Sequence, residues 1–199
     1  TFVATKTLLG AYDALQIMLM RFLIAWAVLL FLAGKPKRPE NLRDELGIFS
    51  LSLSGVTFYY FFENTALTYT LASNVSIILA AAPIFTAILA HVFTGDEKMG
   101  PGTWAGFFIA ITGVALVVFN GAYVLKLNPL GDLLSLMAAL SWAVYSVLLK
   151  TYIRLYNNMV LTRKMVFYAV LLTAPAALRG KGLPPLWPLK QPTLLFCLL

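Results

Sequence analysis

The chain has 199 residues, of which 60% are hydrophobic and 12% charged, with a net charge of +7 and a mean hydropathy of +0.84. A soluble domain of this length is about 45–50% apolar with about 25% charge, so a water-soluble core is excluded. The basic residues lie between apolar runs instead of on one amphipathic face, which is how membrane-flanking charge is placed and argues against a nucleic-acid partner. Cys197 is the single cysteine, so neither an intramolecular disulfide nor a cysteine metal cluster is available.

The elements follow in chain order. Thr1 to Leu9 is too short to span a bilayer and reads as the end of a helix, followed by a turn over Gly10 to Asp13. Ala14 to Ala33 is a full span interrupted by Arg21, and about 20 apolar residues cross a hydrocarbon layer of about 30 Å. Gly34 to Glu45 is a polar loop with two helix-stopping prolines. Leu46 to Tyr69 forms the third span, carrying Glu63 and Asn64. Leu71 to Gly121 reads as a helical hairpin: span four with Pro83 inside it, a charged turn, then span five with spaced glycines. Asn128-Pro129 signals a turn before span six, Leu133 to Tyr152, and span seven runs from Met159 to Leu178. After a proline-rich loop with Trp187, an eighth span opens at Thr193. The chain starts with Thr1 and ends inside an apolar run, so the expectation is an internal piece of a longer membrane protein.

Orientation follows from the basic residues of alternate loops. Nine Lys and Arg follow spans two, four and six, against four after spans five and seven. The first set therefore faces the cytoplasm, and the segment preceding residue 1 is expected there too. Sliding the chain by 144 residues sets Val3, Lys6, Thr7, Tyr12 and Ala25 on Val147, Lys150, Thr151, Tyr156 and Ala169. With five spans per copy, the second copy would be inverted, as in many transporters.

Ala82 to Ala90 (APIFTAILA), the turn Glu97-Lys98-Met99, the run Gly106 to Leu116, Phe2 to Lys6, Arg21, and Leu130 to Tyr145 form a set in fixed order and spacing. Together they resemble the EamA domain of the drug/metabolite transporter superfamily. The resemblance implies an all-α polytopic transmembrane helical bundle of two inverted five-helix repeats. Residues 1–122 would hold the first repeat, from the end of helix one through helix five. Residues 123–199 would hold the start of an incomplete second, about two thirds of a ten-helix protein in all. It also implies movement of small organic solutes, such as amino acids and amphipathic drugs, across the bacterial inner membrane.

Residues that could carry such work are few. Pro83 removes the hydrogen bond to the Leu79 carbonyl, giving either a kink that gates a pathway or one that only fits packing. Gly102, Gly106, Ala110 and Gly113 have the small-xxx-small spacing of a helix-packing face. Arg21 and Glu63 lie at similar depth, roughly 10 Å and 9 Å from the expected outer ends of their spans at 1.5 Å per residue. They either pair and line a pathway or reach other partners separately. Tyr59, Tyr60 and Asn64 lie within a turn of Glu63, while Ser135, Trp142 and Tyr145 share helical spacing on span six. Such a set could stack on a solute and fix its polar end, or could serve helix packing alone. Asn74 and Ser76 read as caps of span four, and His91 as an interface residue.

The chain has no H-E-x-x-H, no Walker lysine loop and no Cys–His cluster, so no cofactor or metal is expected and ATP-driven pumping is unsupported. The partners expected are a small-molecule substrate and the lipid bilayer, with room for a coupling proton or other ion. A non-transporting membrane scaffold is the rival reading. A membrane enzyme would have to rely on Glu63, which has no obvious base or metal partner.

Overall fold

The structure, a computed structural model, describes residues 2–34, 42–94, 100–118, 128–180, 182–185 and 190–198. The described residues form helices and connections, with no strand among them. In order they are α1 (Phe2–Leu8), α2 (Ala14–Leu32), α3 (Leu42–Leu51), a π-helical segment (Ser52–Phe58), α4 (Tyr59–Tyr69), α5 (Ala72–Leu79), α6 (Ala82–Thr94), α7 (Pro101–Val118), α8 (Pro129–Tyr152), α9 (Asn158–Arg179) and α10 (Pro192–Leu198). By length and composition, four of the described helical stretches could cross a membrane: Ala14–Leu32, Ala72–Phe93, Pro129–Tyr152 and Asn158–Arg179. Lys35, Lys37 and Arg38, the Glu97-Lys98-Met99 turn, the 119–127 connection and Trp187 lie outside the described residues.

Local chemistry sets the helix ends. Gln16 Oε1 accepts from the Asp13 N–H at 3.2 Å, which fixes the start of α2. Asn128 caps α8 through an Oδ1 acceptor for the Gly131 N–H at 3.1 Å, with Pro129 at the first helical position. Span six therefore begins at Pro129 and not at Leu133. Span three likewise starts earlier than expected, at Leu42, and is not one regular helix. Midway along it the Tyr59 N–H reaches back five residues to the Ser54 carbonyl, which gives the wider π turn. Asn74 and Ser76 are not caps. Leu71 occupies the cap position of α5. Asn74 Nδ2 donates back to Thr70 Oγ1 at 3.2 Å and Ser76 Oγ to the Ala72 carbonyl at 2.7 Å.

Span four is broken. Its helix stops at Leu79 and resumes at Ala82, with the Ala81 and Ile84 N–H groups making tight three-residue bonds to Ile78 and Ala81 carbonyls. The break falls one turn before Pro83, where the missing N–H and the ring act.

Packing is organised around α8, which lies against the whole α3–π–α4 stretch and against α5 and α6. Ala138, Ala139 and Ala143 on α8 are fully buried, and small side chains of this kind let helices approach closely in lipid. α2 packs on α9 through Met18, Phe22, Val166 and Ala169. α1 and the turn after it pack on α10 through Leu8 and Tyr12 against Leu194 and Leu198. The exterior stays apolar, with Phe31, Phe108, Ile109 and Phe196 largely exposed, as suits a lipid-facing surface. At one end of the bundle Arg163 Nη1 donates to the Ala33 and Gly34 carbonyls closing α2, and Lys164 pairs with Glu45 at 2.5 Å.

Candidate functional site

The site forms along the seam between α4 and α8. Five aromatic rings run across it from α8 through α4 to α2. Tyr145 and Trp142 have centroids 5.2 Å apart, Trp142 and Tyr59 5.0 Å, Tyr59 and Tyr60 5.1 Å, and Tyr60 and Phe22 5.6 Å. These tilted and edge-on arrangements suit the ring quadrupoles. Glu63 lies one turn beyond Tyr59 and is 4% exposed. The Tyr59 hydroxyl is turned toward its carboxyl, within interacting range.

The seam closes through groups that spacing in span three did not bring to notice. Gly55 faces Tyr145 so closely that an added Cβ would lie 2.2 Å from its ring. Ser141 Oγ donates across to the Ser54 carbonyl at 2.9 Å, the same carbonyl that anchors the π turn. Ser52 Oγ donates to the Met165 carbonyl of α9 at 2.6 Å. The signal was present in the run Leu51–Gly55, LSLSG, whose small and hydroxyl residues stand inside an otherwise apolar span. On the neighbouring row of α8 an apolar groove of about 420 Å³ is lined by Leu53, Phe58, Phe62, Met137, Leu140 and Val144.

Arg21 and Glu63 are not brought into a direct pair. Arg21 instead ties three helices together: Nη1 donates to Thr5 Oγ1 of α1 at 2.9 Å and Nη2 to the Cys197 carbonyl of α10 at 3.0 Å. It stays within electrostatic reach of Glu63, but no ion pair joins the two among the described residues. Lys6, at the end of α1, donates to the Leu67 carbonyl and, at 2.9 Å, to the Thr70 carbonyl, closing the C-terminus of α4.

Asn64 is the other anomaly. It is 1% exposed, and neither Nδ2 nor Oδ1 has a hydrogen-bond partner among the described residues. Leaving a buried polar group unpaired costs about 1–3 kcal/mol, so a use for it is expected. Asn64→Leu should leave the thermal midpoint of the purified protein unchanged or raised. A clear fall would mean that the amide is satisfied in the native bundle.

The remaining candidates are placed as follows. Ser135 is fully buried, with its hydroxyl donating to the Gly131 carbonyl of its own helix at 2.8 Å. Pro83 is exposed on α6 just past the break. Gly102, Gly106, Ala110 and Gly113 lie on an exposed part of α7, and a Cβ added at any of the three glycines would meet nothing described within 4 Å.

Fold and seam together define a multi-pass helical membrane protein with a polar, aromatic-lined interior. Residues 1–119 match the EamA-like transporter family, and the chain belongs to that family. It is 30% identical over 186 residues to an uncharacterized transporter of Archaeoglobus fulgidus, covering 89% of this chain and 62% of that protein. It is also 30% identical over 145 residues to a probable amino-acid metabolite efflux pump of Escherichia coli, covering 71% of this chain and 46% of that one. A solved crystal structure matches the whole chain and 71% of its own length, with a TM-score of 0.70 at 18% identity, a likeness of fold. The chain thus spans about half to three-fifths of the length of these curated relatives.

Proposed function

We propose that the protein to which this chain belongs is a secondary transporter, working as an exporter of small organic metabolites of amino-acid-like or amphipathic drug-like kind. The observation that carries this is a buried carboxyl and an unpartnered buried amide, Glu63 and Asn64, beside a run of aromatic rings inside a membrane bundle. Polar and ionisable groups are costly there and mark solute or ion pathways. The name of the Escherichia coli relative points to the same solute class.

The pairing of helices supports alternating access between inverted halves. α1 packs on α10 and α3–π–α4 on α8, with α2 on α9 between them. This is the pattern expected if α1 corresponds to α8, α2 to α9, and the α3–α4 stretch to α10. Two tyrosines 144 residues apart add to it. The Tyr12 hydroxyl, at the α1–α2 corner, donates to the Pro185 carbonyl shortly before α10, at 2.9 Å. The Tyr156 hydroxyl, at the α8–α9 corner, donates to Asp44 Oδ2 near the start of α3, at 3.2 Å. On this reading the domain boundary lies near residue 122, the protein resides in the bacterial inner membrane, and the segment preceding residue 1 is cytoplasmic. No catalytic step or cofactor enters the scheme, and any coupling would be to an ion gradient or to the solute's own gradient.

The test is flux of a panel of amino acids, amines and amphipathic drugs in vesicles reconstituted with the full-length protein. Saturable exchange of any member supports the reading, and none at all overturns it. Pro83→Ala restores an N–H and should let α5 and α6 join. If the break gates the pathway, flux should drop by about tenfold while the thermal midpoint holds or rises. Unchanged flux would make the kink static.

A further inference from the structure

We infer that the seam between α4 and α8 holds the cationic nitrogen of the solute, an organic ammonium group, between the Glu63 carboxylate and the faces of Tyr59 and Trp142. This rests on the transport reading of the same site and narrows it to a substrate class.

The argument begins with an unmet charge. Glu63 is 4% exposed and makes no ion pair among the described residues. Arg21 is a cation whose field reaches it, yet the recorded bonds of its terminal nitrogens go to Thr5 and to the Cys197 carbonyl and not to the carboxylate. A buried carboxylate without a contacting counter-charge is a costly arrangement, and a cation that arrives with the solute relieves it. An anionic solute would meet the same carboxylate with repulsion.

The rings select the kind of cation. Cations are attracted to the faces of tryptophan and tyrosine within about 6 Å of the ring centroid. Tyr59 sits between Tyr60 and Trp142 at 5.1 and 5.0 Å, one turn from Glu63 on the same helix. Trp142 is 40% exposed, so part of its surface is open to a ligand. A hard metal ion would demand a cage of several oxygens, and no group of three His, Cys, Asp or Glu that could hold one is present among the described residues. One carboxylate beside aromatic faces suits a singly charged, weakly hydrated ammonium. The unpartnered Asn64 amide, on the next residue, supplies an acceptor and donors for a polar neighbour of that nitrogen.

The test compares three solutes that share a phenyl ring and a short chain: 2-phenylethylamine, phenylalanine and 3-phenylpropionate. Equilibrium binding of each is measured on the purified full-length protein. Phenylethylamine and phenylalanine should bind saturably and phenylpropionate should not. Glu63→Gln should weaken the first two by about tenfold or more, with Glu63→Asp intermediate. Trp142→Leu, which keeps the carboxylate, should weaken phenylethylamine as well. The proposal is overturned if phenylethylamine does not bind, if phenylpropionate binds as well as the amine, or if Glu63→Gln binds the amine as the native protein does. A variant that fails to give a monodisperse protein is replaced by Trp142→Leu, for which undiminished amine binding also overturns the proposal. Amine binding through Glu63 without vesicle flux would leave this inference standing and remove the transport reading. Flux of neutral or anionic solutes, indifferent to Glu63, would do the reverse.

Discussion

Gly55→Ala is expected to destabilise the protein by about 1–3 kcal/mol, the usual cost of overpacking a filled site. The added methyl would lie 2.2 Å from Tyr145 Cδ2 and 2.3 Å from its Cγ. Cγ is the root of the ring, so turning the ring about its own axis does not clear the clash. Either Tyr145 leaves its rotamer or α8 backs away from the π segment. Moving α8 would stretch the Ser141 bond to the Ser54 carbonyl and separate Trp142 from Tyr59. Gly47→Ala is the internal control. There the nearest atoms are Tyr152 Oη at 1.7 Å and Cζ at 2.2 Å, the far end of a side chain that can swing aside. Thermal unfolding in detergent should therefore rank Gly55→Ala below Gly47→Ala. Adding Tyr145→Ala should restore part of the Gly55→Ala loss, and strict additivity of the two substitutions would count against this account.

Arg21→Met should be the second large effect, and it should act through α1 and α10 more than through Glu63. Interhelical hydrogen bonds in membranes average about 0.6 kcal/mol and reach about 1.7, and bonds from a charged donor belong at the upper end. Two of them give a loss of about 3 kcal/mol, using that upper membrane figure. Thr5 is fully buried and would lose a partner within the bundle. Arg21→Lys should recover less than half of the loss, because one ammonium cannot reproduce the planar fork that reaches two acceptors on different helices. The decisive measurement is a pair of double-mutant cycles. Arg21 with Thr5 should couple by more than about 0.5 kcal/mol, while Arg21 with Glu63 should couple more weakly than that pair. The reverse order would re-establish Arg21–Glu63 as the principal contact.

Much of the fold was legible because lipid is a demanding solvent. Apolar runs of about 20 residues between basic loops have few alternatives to helices when every backbone group must be satisfied internally. Glu63 and Asn64 announced themselves for the same reason, as polar residues inside an apolar span. Tyr59, Tyr60, Trp142 and Tyr145 were legible as stripes on two helices, although nothing in the spacing said that α4 and α8 face one another. The Arg21–Glu63 juxtaposition was suggested by equal depth alone. Depth says nothing about rotation around a helix axis, and in the bundle Arg21 is turned toward α1 and α10. The π turn escaped notice because it adds a residue without changing the apolar pattern that marks the span.

By itself, then, the sequence determined a helical membrane protein, where its chain turns, and which side chains are too polar to be there without a reason. Hydrophobic length and charge are properties of each segment taken alone, and the bilayer acts on them segment by segment. Only the tertiary structure decided which faces meet: that Gly55 receives Tyr145, that Ser141 closes on Ser54, and that Glu63 lies buried beside a run of rings with no contacting counter-charge among the described residues. In lipid no hydrophobic force chooses between apolar helix faces. Close approach of small residues and a handful of interhelical hydrogen bonds make that choice.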